Sequence, residues 1–172
     1  MKAMILAAGY GKRLLPLTKD TPKPLLKVGN KTLIERNINN LLESGFSEIV
    51  INVSHLSKLI EGHVKEKFPK NNILFSFEER PLGTGGGVLK ALNILGAEPF
   101  LLINSDIYHC ISFTNFPKTT EAAHLIGVPN PDHNRNGDFS IKNENMVAVQ
   151  DGLNELTWSG ISLINPIIFN EN

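Results

Sequence analysis

Cysteine is nearly absent from this chain. Cys110 is the single one in 172 residues, which excludes an intrachain disulfide and a cysteine-rich zinc site and suits a reducing cytosol. Net charge is absent too: 17 Lys and Arg balance 17 Asp and Glu. No overall field therefore draws the protein to nucleic acid or an anionic membrane, and any phosphate binding has to be local. No stretch approaches the ~20 apolar residues of a membrane span, and no charged-then-apolar leader precedes the first apolar run. The expected location is cytoplasmic. With 41% hydrophobic and 20% charged residues, the chain has enough apolar material for one substantial core and a length that suits one domain.

Apolar runs alternate with segments of helical period. Residues 2–7 read as a buried strand. Thr32 reads as a helix N-cap with Glu35 as its capping-box partner, followed by the stripe Leu33, Ile34, Ile38, Leu41 and Leu42 and by Gly45 as terminator. A strand at 48–53, a helix at 55–68 stopped by Pro69, an alternating strand at 73–77, a helix at 88–95 and a strand at 100–103 follow. Beyond them come a strand at 124–128, a hairpin joining 139–141 to 146–149, a strand at 156–164 and a helix opening at Pro166. Strands separated by helices make βαβ units. The expected fold is α/β: a three-layer α/β/α sandwich around a Rossmann-like, mostly parallel mixed sheet, with ligands at the carboxyl ends of the strands.

Three motifs fall at such ends. The first is Gly9-Tyr10-Gly11-Lys12-Arg13, followed by Pro16-Leu17-Thr18 and Pro22-Lys23-Pro24. Its glycines let backbone N–H groups approach phosphate oxygens, while Arg13 and Lys23 offer charge-assisted hydrogen bonds to the same oxygens. It is neither a P-loop nor a dinucleotide fingerprint. The second, Pro81-Leu82-Gly83-Thr84-Gly85-Gly86-Gly87, permits a flat base or ribose to lie against bare backbone ahead of a helix. The third, Asn104-Ser105-Asp106, puts an aspartate at the end of an apolar strand, where a carboxylate can hold Mg²⁺ alongside phosphate oxygens. Each has a plainer alternative: a tight turn, a flexible linker, and an aspartate capping the next turn. Their joint occurrence at strand ends favours a site. His55, His63 and His109 lack partners at ligand spacing and suit solvated or helix-surface positions; His133 lies in a polar loop. Trp158 suits a core or pocket wall.

The first loop together with Arg13, Pro-Leu-Thr and Pro-Lys-Pro resembles the N-terminal signature of the sugar-1-phosphate nucleotidyltransferases, and the likeness extends over essentially the whole chain. Thr84-Gly85-Gly86-Gly87, the polar segment from Val128 to Phe139 and Leu156-Thr157-Trp158-Ser159-Gly160-Ile161 resemble the branch that uridylylates N-acetylmuramate 1-phosphate in cell-wall recycling. The resemblance implies transfer of a nucleotidyl group from a nucleoside triphosphate, UTP in that branch, to a sugar 1-phosphate with release of pyrophosphate. It implies Arg13, Lys23 and Asp106 as catalytic residues, with Mg²⁺ on Asp106. Nucleotide contacts fall to Leu6, Ala7, Ala8, Gly9 and Gly11 and to Gly83, Gly85 and Gly86; sugar-phosphate contacts fall to Asn104, Ser159 and Gly160. Mannose- or heptose-1-phosphate guanylyl transfer is the alternative, and non-catalytic nucleotide or sugar-phosphate binding a further one. A homodimer is left open.

The family pattern departs from this sequence at one end. Its members continue with a Trp-x-Asp-Val-Gly-Thr-like segment whose aspartate is a second metal ligand, and nothing in residues 165–172 matches it. Residues 1–172 are therefore expected to form a single nucleotidyltransferase domain lacking that segment, with Asp138 or Asp151 as candidate substitutes.

Overall fold

The computed structural model describes residues 1–143, 145–147 and 154–169. Strand β1 (Ala3–Leu6) leads through the glycine loop to a small hairpin of β2 (Lys27–Val28) and β3 (Lys31–Thr32). Helix α1 (Leu33–Glu43) starts on the expected capping box: Thr32 Oγ1 accepts the Glu35 N–H at 3.2 Å, and Glu35 Oε2 accepts the Thr32 N–H at 2.6 Å. It ends in a Schellman motif, with the Gly45 and Phe46 N–H groups donating to Leu42 O and Leu41 O and Gly45 at a φ of 87°. Then follow β4 (Glu48–Val53), α2 (Ser57–Lys67), β5 (Asn72–Phe77), α3 (Gly83–Leu95) and β6 (Phe100–Asn104). The chain continues with β7 (Ala123–Pro129), the hairpin β8 (Ser140–Lys142) and β9 (Asn145–Val147), and β10 (Leu156–Ile164).

The main sheet has the order β5-β4-β1-β6-β10-β7. Its first four strands are parallel, and β10 runs antiparallel to both β6 and β7. Alternation along the strands feeds two cores. Ala3, Ile5, Ile49, Ile51, Leu101 and Ile103 pack with Ile34 and Ile38 of α1 and Ile60 and Val64 of α2. Met4, Val50, Phe100 and Leu102 pack with Val88, Ala91 and Leu95 of α3. The expected three-layer sandwich with a mostly parallel mixed sheet is the observed fold.

Some boundaries differ. α3 begins at Gly83 rather than Val88, so the glycine run is helical instead of a loop ahead of the helix. Close packing calls for glycine at two of its positions: a Cβ on Gly87 would lie 2.6 Å from Asn52 Nδ2, and one on Gly86 would lie 2.8 Å from Leu82 Cβ, whereas nothing lies within 4 Å of one on Gly83 or Gly85. Burial of Val88, Ala91 and Leu95 outweighs the helix penalty of about 1 kcal/mol per glycine. The helix expected from Pro166 is a short 3₁₀ turn, Pro166–Phe169. Residues 148–149, expected as the end of the hairpin, lie outside the described residues. Among the described residues no helix is long and apolar enough to cross a membrane.

Candidate nucleotide site

From β1 the chain builds outward to β4 and β5, then returns to place β6 on the other side of β1. That reversal is a topological switch point, where a crevice opens beyond the carboxyl ends of the strands. A cavity of about 470 Å³ lies there. Leu6 and Asn104 are register partners, and the Ser105 N–H donates to Leu6 O at 3.1 Å, so the loops after β1 and β6 leave the sheet side by side.

The first loop is shaped by Gly11. Its φ is 65°, and a Cβ there would lie 3.1 Å from Thr18 Cγ2 and 3.3 Å from Lys23 Cβ. Thr18 is buried and donates its hydroxyl proton to Gly11 O at 2.9 Å, so the Pro-Leu-Thr motif braces the loop from behind. The next turn, Lys12–Leu14, carries Lys12 and Arg13 into the cavity wall. A second 3₁₀ turn, Lys23–Leu25, follows Pro22 and contains the buried Pro24, which fixes the path by which Lys23 enters. Lys23 Nζ forms an ion pair with Asp106 Oδ2. Both side chains are partly exposed, so the pair adds little stability; it sets a cation and a carboxylate at one point of the cavity.

Asp106 is aimed by a helix beneath it. Asn37 of α1, 2% exposed, donates through Nδ2 to Ser105 O at 3.1 Å and Ile107 O at 3.4 Å. On the opposite wall Asn52 Oδ1 accepts the Ala7 N–H at 2.8 Å, and Asn52 Nδ2 donates to Glu78 Oε1 at 2.7 Å. Glu78 Oε2 accepts the Leu82 N–H at 2.8 Å, at the start of α3. Sequence reasoning missed Asn37, Asn52 and Glu78. The signal for the first two was present: an asparagine inside the stripe 34, 37, 38, 41, and another inside the apolar run 49–53. A polar side chain in such a position has to have a partner.

Leu6, Ala7, Ala8, Gly9, Gly11, Arg13, Lys23, Gly83, Asn104 and Asp106 line the cavity together. Gly85, Gly86, Ser159 and Gly160 do not. Gly86 faces Leu82, and space around Gly85 is open. Gly160, at a φ of 87°, lies behind Asn104, where its Cβ would come within 2.7 Å of Asn104 Nδ2. Ser159 Oγ accepts the Ile161 N–H at 3.2 Å. Thr84 lines both this cavity and a second one of about 450 Å³, whose walls include Trp158 and Asp138.

Asp138 is engaged by its own neighbours, accepting from Asn134 Nδ2 at 3.0 Å and from the Trp158 N–H at 2.9 Å. Asp151 lies outside the described residues. No group of three or more His, Cys, Asp or Glu is placed to hold a metal among the described residues, and Asp106 is the carboxylate lining the first cavity. His55 is exposed, with its ring 5.4 Å from that of Tyr10. His109 is on neither a helix nor the open surface: its Nδ1 accepts the Ile111 N–H at 3.2 Å, its Nε2 is buried without a partner among the described residues, and burial holds its pKa below the ordinary 6.5.

A cation-lined cavity at the switch point of a Rossmann-like sheet, flanked by a glycine loop and a helix N-terminus, defines a nucleotide-binding α/β protein. Similarity to known proteins narrows the class. The chain belongs to the nucleotidyl transferase family, matched over residues 2–148. It is 43% identical to the N-acetylmuramate alpha-1-phosphate uridylyltransferase of Neisseria meningitidis serogroup B, over 98% of this chain and 77% of that protein. It is 39% identical to the mannose-1-phosphate guanyltransferase beta-B of Xenopus laevis, over 62% of this chain and 31% of that protein. The crystal structure of HddC from Yersinia pseudotuberculosis complexed with GMP-PN superposes with a TM-score of 0.82 at 26% identity, covering 99% of this chain and 79% of that one.

Proposed function

We propose that this chain, read as one nucleotidyltransferase domain, transfers a uridylyl group from UTP to N-acetylmuramate 1-phosphate and releases pyrophosphate. The observation that carries the reading is Arg13, Lys23 and Asp106 sharing one cavity with the glycine loop. The 43% identity along 98% of the chain to a uridylyltransferase of that specificity supports the substrates.

In this reaction an oxygen of the sugar 1-phosphate attacks the α-phosphorus of UTP. The new P–O bond forms as the bond to the bridging oxygen of the β-phosphate breaks, and pyrophosphate departs with the electron pair. No covalent enzyme nucleophile is needed, so the rate comes from placement and charge neutralisation. Arg13 grips the departing pyrophosphate with its planar fork of donors. Lys23 supplies a point charge at the α-phosphate. Backbone N–H groups of residues 8–11 and of Gly83, in the first turn of α3, face phosphate, ribose and base, while Gly85 and Gly86 lie outside the cavity lining. The Ala7 N–H is committed to Asn52 and serves the loop's shape instead. Asn104, backed by Gly160, faces the sugar phosphate.

The donor set fits Mg²⁺. One carboxylate opens on a cavity whose remaining ligands are phosphate oxygens and water, the set a hard cation with few protein ligands takes. Asp106 would hold the ion, which when bound supplies charge neutralisation to both phosphates.

The 39% identity to a guanyltransferase favours a second reading, guanylyl transfer to mannose 1-phosphate. One experiment separates the two: pyrophosphate release from each of the four common nucleoside triphosphates, paired in turn with N-acetylmuramate, mannose and glucose 1-phosphates. Release that requires UTP and N-acetylmuramate 1-phosphate together is expected. Release from GTP with mannose 1-phosphate selects the second reading, and release from no pairing overturns both.

A further inference from the structure

Glu78 is a buried carboxylate that the reaction above leaves unused. It is 5% exposed, and no ion pair reaches it among the described residues. Asn52, 2% exposed, lies between it and the first loop. The bonds run without a break from the Leu82 N–H through Glu78 and Asn52 to the Ala7 N–H, at 2.8, 2.7 and 2.8 Å. They connect the start of α3 to the loop after β1, and Ala7 and Asn52 share the cavity lining with Gly83 and Thr84.

The polarity of this chain is fixed at both ends, because each end is a backbone donor. Three donors, the Ala7 N–H, the Asn52 amide and the Leu82 N–H, meet three acceptors: Asn52 Oδ1 and the two oxygens of Glu78. The count closes when the carboxyl carries no proton. α3 packs against both side chains at Gly87, where a Cβ would lie 2.6 Å from Asn52 Nδ2 and 2.9 Å from Glu78 Oε1.

We propose that Asn52 and Glu78 are positioning residues for the nucleotide: their single hydrogen-bonded chain sets the separation of the two loops that hold UTP, and it works in one donor–acceptor polarity. This rests on the cavity being the nucleotide site. Shape alone is then insufficient. Glu78→Gln keeps the outline but brings an N–H against either the Asn52 amide or the Leu82 N–H, and turning Asn52 over moves the conflict to Ala7. Asn52→Asp sets two carboxylates face to face. Making both changes closes the count again. The carboxylate at 52 accepts from Ala7 and from the new amide, whose carbonyl accepts from Leu82.

The test measures KM and kcat for UTP, Tm, and amide hydrogen exchange at Ala7 and Leu82 in the two single variants and the double. Each single change is expected to raise KM for UTP about tenfold or more, the scale of one misplaced hydrogen bond to a charged group. Turnover at saturation should change by no more than about twofold, as for lost ground-state positioning. Glu78→Gln should deprotect the Ala7 amide, which Glu78 does not touch. The double variant should recover KM, Tm and protection; if a single variant does not fold, the folding of the double with near-native KM carries the same support. Unchanged KM and Ala7 exchange in Glu78→Gln overturn the proposal. So does a double variant as impaired as the two singles combined, or a lowered Tm with native KM. A native protein that binds no UTP defeats the nucleotide reading instead, while the exchange pattern at Ala7 still decides whether the chain of bonds has this polarity.

Discussion

Lys23 Nζ and Asp106 Oδ2 meet as an ion pair across 83 residues of sequence, joining the Pro-Lys-Pro turn to the turn after β6. Each partner is held from its own side, Lys23 by flanking prolines and Asp106 by Asn37 beneath its turn. A pair placed this firmly yet left partly exposed is better suited to meeting a charged ligand than to holding the fold together.

Lys23→Ala and Asp106→Asn should therefore separate activity from stability. Removing one preorganised charge from a phosphoryl-transfer site costs on the order of 10²–10³ in turnover. The loss of a partly exposed ion pair costs about 0–1 kcal/mol of stability. Steady-state kinetics with thermal melts checks this, and the double variant should lose less than the product of the single losses. A large fall in Tm with turnover intact would make the pair a structural tie.

Arg13→Ala should act on the leaving group. Loss of hydrogen bonds to a charged oxygen is worth about 1.5–3 kcal/mol, or roughly 10–150-fold in kcat/KM. Arg13→Lys should restore little, because a point charge does not reproduce the planar fork. Run in the pyrophosphorolysis direction, the same variants should raise KM for pyrophosphate. Full activity of the Lys variant would reduce Arg13 to a simple counter-charge.

Much of this site was legible as motif. The loop around Gly11, the lysine between two prolines and the aspartate after an apolar strand each carry their chemistry in adjacent residues. The fold was legible as period, since α1 with its capping box and β4 are patterned locally. What escaped was set by contacts distant in sequence. Nothing near Gly87 says that Asn52 and Glu78 lie against it, so the glycine run read as a loop for ligand rather than as a helix pressed onto its neighbours. Two-residue strands such as β2 and β3 are too short to show a period. Asn37 and Asn52 stood out as polar interruptions of apolar patterns, but only the fold shows which backbone groups they serve.

Glycine substitutions within α3 should differ in sign. Gly87→Ala places a methyl against Asn52 and Glu78 and should destabilise by about 1–3 kcal/mol, the usual cost of overpacking, less the gain in helix propensity. At Gly85 nothing lies within 4 Å of the new Cβ, so Gly85→Ala should keep or raise stability by up to about 1 kcal/mol. Chemical denaturation of both variants measures the contrast. Equal effects at the two positions would mean that packing does not explain the run.

His109 should make the fold sensitive to mild acid. Its Nδ1 accepts the Ile111 N–H, which places the ring proton on Nε2. Nε2 is buried without a partner among the described residues, and the ring lies 5.4 Å from that of Phe113. Protonation would put a hydrogen where Nδ1 now accepts and place a charge in a desolvated setting, and burial holds the folded-state pKa below 6.5. The unfolded chain then takes up the proton first as pH falls. The contribution of His109 to stability is complete above about 6.5 and is lost as pH drops from there towards the lower folded-state value. His109→Asn keeps an acceptor two residues before the Ile111 N–H and removes the titration. Melting curves of the native protein between about pH 7.5 and pH 5 should show Tm falling more steeply than in His109→Asn, with the two converging in relative stability at the alkaline end. Parallel curves across that range would show that the ring gains its proton without cost to the fold, and that its burial is incomplete in solution.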